Sequence, residues 1–254
     1  MTARLSAVVD GPDDTPVLVL GPSLGTDTGL FDPLVAEFAG TRRVVRYDLR
    51  GHGGSEVVPG PCTIADLAGD VLALLGSWGV KRFSYAGVSV GGAIGQQLAL
   101  TVPGQLEKLA IIASAAQFAD PPSWAVRAAQ VREQGTEILV PSRTGTWFTA
   151  EWAEDEPAAA ERLLGMLRAT PAEGYAACCE AIGAFDVRDR LSDITAPTLV
   201  VAGAEDPATT VDMVRLLADG IPDSEFVVVP GAAHLPNATH PEAVNAALRD
   251  HFGD

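Results

Sequence analysis

The stretch Phe83-Ser-Tyr-Ala-Gly-Val-Ser89-Val-Gly-Gly-Ala-Ile-Gly-Gln-Gln-Leu98 contains the pattern that decides the fold. Its first residues favour a buried strand, and the residues from Gly92 onward favour a helix. Between them lies the pentapeptide Gly87-Val-Ser-Val-Gly91. A serine on so tight a turn takes strained backbone angles and needs small neighbours. The stretch therefore predicts that Ser89 is lifted clear of a sheet, at the N-terminus of a helix.

Short aliphatic runs alternate with helical patterns on both sides of this turn. Near-continuous runs of this length favour strands buried on both faces, as in a parallel sheet. The predicted strands cover residues 17–20, 44–47, 83–86, 109–112, 198–201 and 226–229, with a weaker edge strand at 5–9. Strand–helix alternation predicts an α/β protein with a doubly wound, mostly parallel sheet. Ligands of such sheets bind at the carboxyl ends of the strands.

One helix can be predicted in detail. Thr63 is expected to cap its N-terminus, with Asp66 in the first turn, and Gly79 is expected to end it. Helical spacing predicts one apolar face, with Trp78 as a core contact. The residues of that face are Leu67, Val71, Leu74, Leu75 and Trp78.

The strand rhythm stops between residues 119 and 185, where Ala, Glu, Arg and Trp dominate. We interpret this part of the chain as a helical cap, or lid, over the strand ends and name it the cap segment. Residues 1–118 and 186–254 are then the core that contains the sheet. Packing helices that do not touch a ligand are the alternative interpretation of the cap segment.

Composition limits the partners. The 254 residues are 47% hydrophobic and carry a formal net charge of −16. Because nucleic-acid binding needs a basic face, neither nucleic acid nor an anionic membrane is expected as a partner. The N-terminal residues lack the apolar run of a signal peptide, and no apolar stretch approaches the roughly 20 residues of a membrane span.

The cysteines favour a reducing compartment. Cys178 and Cys179 are adjacent, which makes a disulfide between them strained, and Cys62 stands alone. No zinc-ligand spacing is present, and Gly91-Gly92 does not complete a dinucleotide fingerprint. We therefore expect a cytoplasmic protein that uses neither a metal nor a cofactor.

A serine nucleophile needs a base, and the base needs an acid that holds its tautomer. His234 follows the last predicted strand, whereas His52 lies in an earlier turn, His240 precedes Pro241 and His251 is placed in the C-terminal tail. Asp206 ends the strand region that begins at Thr198. Its rivals are less suitable, since Glu205 is expected to point elsewhere and Asp212 to belong to the next helix. The order Ser89, Asp206, His234 is the chain order of a hydrolase triad on this kind of sheet.

An oxyanion hole requires two backbone N–H donors. One is predicted to be that of Val90, the residue after the nucleophile. The other is expected from the loop Gly21-Pro-Ser-Leu-Gly-Thr-Asp27, where we choose Leu24.

These motifs resemble the α/β-hydrolase superfamily over nearly the whole chain. The resemblance includes Asp48-Leu-Arg-Gly-His-Gly-Gly-Ser55, the serine turn, the strand from Ala196 to Asp206 and Ala232-Ala-His234. Within the superfamily the chain is most similar to the 3-oxoadipate enol-lactonases. The similar segments are Ser23-Leu-Gly-Thr-Asp27, Trp147-Phe-Thr149, Gly174-Tyr-Ala-Ala-Cys-Cys-Glu-Ala-Ile182 and Ala232-Ala-His-Leu-Pro-Asn237. Two positions depart from that family, with Phe31 where tryptophan is expected and Thr146 where arginine is frequent.

The resemblance implies hydrolysis of a small, carboxylated enol-lactone to 3-oxoadipate in aromatic catabolism. A cation of the cap segment would bind the free carboxylate, and the pair Arg143 and Trp147 is our choice. The arginines of the cap segment are Arg127, Arg132, Arg143, Arg162 and Arg168.

Other functions remain open at this point. A carboxylesterase, another lactonase or a cofactor-free perhydrolase would use the same triad. A small-molecule receptor on a hydrolase scaffold is an alternative of another class. A haloalkane dehalogenase is disfavoured, because its turn needs aspartate where this chain has Ser89. Oligomeric state is not encoded in any pattern we recognise.

Overall fold

Seven strands form one sheet in the computed structural model, which describes residues 2–253. The strands are β1 (Ala7–Asp10), β2 (Val17–Gly21), β3 (Arg43–Tyr47), β4 (Phe83–Val88), β5 (Leu106–Ile112), β6 (Thr198–Gly203) and β7 (Ser224–Val229). Their order is β1-β3-β2-β4-β5-β6-β7. Only β1 runs antiparallel to its neighbour, and the other pairs are parallel. The predicted α/β fold with a mostly parallel sheet is confirmed, including its weak edge strand.

The strands are buried where the sequence predicts burial on both faces. Every residue of β4 and β6 is buried, as is nearly all of β2. β4 stands fourth among the seven strands, so the turn that follows it lies at the middle of the sheet. The helices of the core are α1 (Asp32–Phe38), α2 (Ile64–Ser77), α3 (Val90–Thr101), α8 (Val211–Gly220), α9 (Pro236–Thr239) and α10 (Pro241–Phe252).

Helix α2 begins as its sequence predicts. The Thr63 hydroxyl accepts a hydrogen bond from the Asp66 N–H, and the Asp66 carboxylate accepts one from the Thr63 N–H. This capping box satisfies two donors that the first helical turn would otherwise leave unpaired. Gly79 has φ +69°, the left-handed conformation that ends many helices.

The prediction that Trp78 is a core contact is wrong. Its side chain is 38% exposed, and the Arg43 guanidinium lies over its ring at 5.9 Å from the ring centre. Trp78 follows the last residue of α2, where the chain no longer keeps helical geometry. The apolar periodicity therefore stops applying one residue before Trp78. His251 also differs from its predicted place in a tail, since it is buried within α10.

The cap segment contains helices and no strand of the sheet. Its helices are α4 (Pro121–Gln134), α5 (Ala150–Asp155), α6 (Pro157–Ala169) and α7 (Ala172–Gly183), with a 3₁₀ helix over Thr136–Ser142. The two ends of the segment meet, because Gln117 and Asp186 form an antiparallel bridge. The Val187 N–H also donates to the Ala116 carbonyl. The segment thus leaves and rejoins the core at one place, while its role as a lid stays a prediction. Within residues 2–253 no helix has the length and apolar character to cross a membrane.

Candidate active site

Ser89 lies on the turn between β4 and α3, as its sequence predicts. Its backbone has φ 56° and ψ −116°, a strained combination for a residue other than glycine. The small flanking residues are required by contact. A Cβ on Gly87 would lie 2.3 Å from the Gly91 carbonyl oxygen, and one on Gly91 would lie 2.1 Å from that of Gly21. The turn is held from β5, because the Ser89 N–H donates to the Ile112 carbonyl at 2.8 Å.

The neighbouring strand ends supply a carboxylate and an imidazole. Asp206 follows β6 and His234 follows β7, and their side chains meet with His234 Nδ1 2.8 Å from Asp206 Oδ2. Both residues are 5% exposed, and Ser89 is 6% exposed. The contact fixes Nδ1 of the imidazole on the acid and leaves Nε2 as the ring nitrogen that can exchange a proton.

The Asp206 carboxylate is fully engaged. Oδ1 accepts from the N–H groups of Ala208 and Thr209, and Oδ2 accepts from the Thr209 hydroxyl at 2.6 Å besides facing His234. Burial acts to raise the pKa of Asp206, but His234 and the Thr209 donors outweigh it and lower the pKa below its ordinary value. Asp206 is therefore an ionised partner for an imidazolium. Sequence reasoning missed Thr209, although an aspartate followed three residues later by threonine is a usual turn pattern.

Ser89 and His234 line one cavity of about 400 Å³, together with Leu24 from the loop after β2. Val90 is the first residue of α3, so its N–H has no carbonyl partner within the helix. The four residues predicted for the nucleophile, base and oxyanion donors are thus grouped at the carboxyl ends of β2, β4 and β7. Asp206 lies behind His234, at the end of β6.

His52 supports the loop that carries Leu24, a role that sequence reasoning missed. Its Nε2 accepts a hydrogen bond from the Gly25 N–H at 3.1 Å, and its Nδ1 lies 3.1 Å from the Arg50 carbonyl oxygen. Burial lowers the pKa of His52 to about 4, so the ring is neutral at pH 7 and can accept at Nε2. The sequence feature that could have indicated this role is the position of His52 in Gly51-His-Gly-Gly54, a turn after the end of β3.

Arg143 and Trp147 both reach the cavity. Arg143 is 7% exposed, and its guanidinium carbon lies 5.6 Å from the Trp147 ring centre. One of its terminal nitrogens bonds to the Ser142 hydroxyl, while Nε is buried with no partner. No carboxylate in residues 2–253 pairs with it in an ion pair. Burial lowers the pKa of Arg143, yet a guanidinium stays charged in proteins.

The loop that carries the imidazole is joined to the cap segment. The N–H groups of His234 and Leu235 donate to the carbonyls of Thr146 and Trp147, at 3.1 and 2.9 Å. Backbone hydrogen bonds therefore join the loop of His234 to the segment that contains Arg143 and Trp147.

The described residues contain no group of three or more His, Cys, Asp or Glu side chains placed to hold a metal ion. The three cysteines are buried and free. The described polar groups of the cavity are suited to acyl transfer through a serine, an imidazole and backbone donors.

Comparison with known proteins gives relatives over nearly the whole chain. The chain is 38% identical to 3-oxoadipate enol-lactonase 2 of Acinetobacter baylyi, over 94% of this chain and 89% of that protein. It is 32% identical to RutD of Azorhizobium caulinodans, named as a candidate carbamate hydrolase, over 94% and 92%. The crystal structure of the enol-lactonase from Burkholderia xenovorans LB400 superposes with a TM-score of 0.96 at 36% identity, over 99% and 97% of the two chains.

The predicted resemblance to enol-lactonases is confirmed by these relatives. The sequence model of the α/β hydrolase fold matches residues 16–241, which include the serine turn, Asp206 and His234. The chain belongs to the α/β-hydrolase fold family and is a hydrolase.

Proposed function

We propose that this hydrolase opens a small lactone that carries a free carboxylate, and that 3-oxoadipate enol-lactone is its substrate. One observation carries the proposal: Ser89, His234 and the buried guanidinium of Arg143, which has no ion-pair partner among residues 2–253, line the same cavity. A cavity of about 400 Å³ is of the size that takes small-molecule ligands. The similarity to enol-lactonases over most of the chain supports this substrate.

The first step joins the Ser89 oxygen to the lactone in a tetrahedral intermediate. His234 takes the proton from the Ser89 hydroxyl as its oxygen bonds to the lactone carbonyl carbon. Negative charge then develops on the carbonyl oxygen, and the N–H groups of Val90 and Leu24 stabilise it. The ionised carboxylate of Asp206 holds the imidazole in the productive tautomer and stabilises the imidazolium.

The next steps form the acyl-enzyme and then return the enzyme to its resting state. The ring C–O bond breaks, His234 gives its proton to the leaving enol oxygen, and the enol remains tethered to Ser89 through the acyl chain. The enol tautomerises to the ketone. Water then loses a proton to His234 and adds to the acyl carbon, and the Ser89 oxygen leaves with that proton. The sum is one lactone and one water consumed for one oxo diacid.

Arg143 gives the enzyme its preference for a substrate that carries a carboxylate. The whole chain carries −16, so long-range steering of an anion is unfavourable. A guanidinium that lines a cavity acts over hydrogen-bond distance, and its terminal nitrogens suit a carboxylate bound there. The Trp147 ring fixes the guanidinium from one side. We assign the cap segment the role of a lid that supplies these contacts.

The similarity to RutD makes a carbamate the principal rival substrate. The experiment is a comparison of kcat/KM for freshly generated 3-oxoadipate enol-lactone, a neutral short-chain nitrophenyl ester and a carbamate. We expect the enol-lactone to exceed the other two by at least tenfold. A higher kcat/KM on the carbamate would overturn the proposed substrate. Binding of all three without turnover would instead favour a receptor.

A further inference from the structure

The cavity beside Ser89 is cationic although the protein is strongly acidic. Besides His234, its charged lining residues are Arg127 and Arg143. Within the described chain, residues 2–253, no aspartate or glutamate is part of that lining. The proposed substrate carries one free carboxylate, which Arg143 serves, so the second guanidinium is not accounted for.

Arg127 is positioned by an aromatic ring and has no ion-pair partner among residues 2–253. It lies half-buried on α4, with its guanidinium carbon 4.5 Å from the centre of the Trp124 ring. Trp124 is fixed in turn, since its indole N–H donates to the Ala119 carbonyl. Such stacking sets the direction of a guanidinium without neutralising it.

The next arginine along α4, Arg132, differs from Arg127 in having ion-pair partners. Arg132 binds the carboxylates of both Glu173 and Glu180 on α7. The carboxylates that α7 presents to α4 are thus engaged by Arg132, and no ion pair to Arg127 exists among the described residues. Arg127 keeps its full charge towards the cavity.

The two cavity arginines act on each other. The charge of Arg127 lowers the pKa of Arg143, which adds to the larger effect of burial, and both charges act on Tyr175. Like charges that line one cavity destabilise one another, and a bound anion relieves the repulsion. Arg127, Ser123 and the acidic residue Asp120 also line a second depression that is open to solvent. Arg127 therefore stands between the cavity interior and its exterior.

We propose that Arg127 is a second carboxylate subsite, so that the cavity selects ligands with two carboxylates. The inference rests on the proposed function, because opening a carboxylated lactone creates one new carboxylate and leaves a diacid in the cavity. Arg143 holds the carboxylate that the substrate brings. The new carboxylate forms at Ser89 and moves to Arg127 once its bond to the Ser89 oxygen is broken.

The test is a binding titration of the full chain by calorimetry, with adipate and hexanoate as six-carbon probes that differ by one carboxylate. We expect adipate to bind at least tenfold more tightly than hexanoate. Arg127→Met keeps an apolar side chain on Trp124 and removes the charge. It should weaken adipate about 10- to 100-fold and hexanoate less than threefold. Arg127→Lys should restore part of the adipate affinity.

Arg215→Met is the matched control. Arg215 also lies 4.5 Å over an aromatic ring, that of Phe226, and is exposed outside the cavity. This variant has the same net charge as Arg127→Met and should bind both probes as the parent does. Equal affinities for the two probes, no measurable binding of either, or an equal loss of both in Arg127→Met would overturn the inference.

These outcomes are separable from those of the proposed function, since calorimetry needs no turnover. Turnover of the enol-lactone without a preference for adipate removes only the second subsite. A preference for adipate without turnover of the enol-lactone overturns the proposed substrate and leaves the dicarboxylate site in place.

Discussion

The Asp206 carboxylate and the Arg143 guanidinium are both buried beside one cavity, but their hydrogen-bonding partners differ. Asp206 meets three donors from its own turn and the imidazole of His234. Arg143 has the Ser142 hydroxyl and a buried Nε that meets no partner. Burying a polar group without a hydrogen-bond partner is costly. The hydrogen bonds of Asp206 are complete before a substrate arrives, whereas those of Arg143 are not.

We therefore expect the strand ends to carry out the reaction and the cap segment to determine which substrates are preferred. The strand ends hold donors and acceptors in fixed positions, which suits a transition state whose charge always appears at the same atom. In the proposed function, the cap segment supplies the cations that bind the carboxylate of the substrate. Changes at the strand ends should therefore affect every substrate, and changes in the cap segment should affect acids in particular.

The largest effect is expected at the strand ends. Ser89→Ala should lower kcat by about 10³- to 10⁶-fold on the enol-lactone and on a neutral ester alike, because the covalent step is lost for both. Steady-state rates measure the loss, and circular dichroism checks that the variant is folded. Ser77→Ala, at an exposed serine of α2, is the matched control and should keep full activity. Near-full activity of Ser89→Ala would remove the central assignment.

A smaller and selective effect is expected in the cap segment. Arg143→Met should raise KM for the acidic lactone by about 10- to 100-fold, because a charge-assisted contact is lost. KM for a neutral ester should change far less. Parallel assays of the two substrates measure the ratio, with Arg215→Met as the control for net charge. An equal rise on both substrates would mean that Arg143 shapes the cavity without recognising a carboxylate.

Acid should lower the free energy of unfolding through histidines that are neutral in the folded core. All four histidines of the chain lie outside the cap segment. In the unfolded chain His52 takes up a proton near its ordinary pKa of about 6.5, but burial keeps it neutral down to about pH 4 in the folded protein. The unfolded state therefore binds more protons between these values, and the free energy of unfolding falls as pH drops through that window. His52 should account for about 1 to 1.5 kcal/mol of the loss at pH 5.5.

Urea unfolding at pH 7.5 and pH 5.5 measures this loss. His52→Gln lacks the titrating ring, so its free energy of unfolding should fall less steeply than that of the parent. If both proteins lose the same amount, His52 is not the group that titrates. The guanidinium groups of the cap segment do not titrate in this range, so carboxylate binding by Arg143 should not follow the same pH profile.

The strand-end residues could be predicted from sequence because each depends on a local pattern. The serine turn is defined by five consecutive residues, and the positions of Asp206 and His234 follow from where two aliphatic runs end. The cap of α2 at Thr63 is local in the same sense. Such features need only neighbours along the chain, and parallel strands bring their carboxyl ends together.

The cap segment was less predictable because its roles depend on contacts between distant residues. Nothing in the sequence around Arg127 and Arg132 shows that one meets two glutamates of α7 and the other meets none. His52 was missed for a related reason, since its partner Gly25 lies 27 residues away. The prediction for Trp78 was wrong for a different reason, because the helical pattern was extended one residue beyond the end of the helix.

The smallest effect is expected at the ion pairs between α4 and α7, two helices of the cap segment. Arg132 joins Glu173 and Glu180, and all three side chains are about one-third exposed. Exposed ion pairs contribute little, so Arg132→Met should lower the free energy of unfolding by about 1 kcal/mol or less. Glu173 keeps its second contact, because it also accepts from the Gly60 N–H.

Urea titration measures this change in Arg132→Met, and Arg188→Met, which removes the exposed pair with Asp186, is the control. Turnover of a neutral ester should stay within twofold of the parent, since Arg132 does not line the cavity. A loss above about 3 kcal/mol, or a collapse of turnover, would show that the network positions the wall containing Arg127 and Arg143. Selectivity would then depend on the surface of the cap segment as much as on the two guanidinium groups inside it.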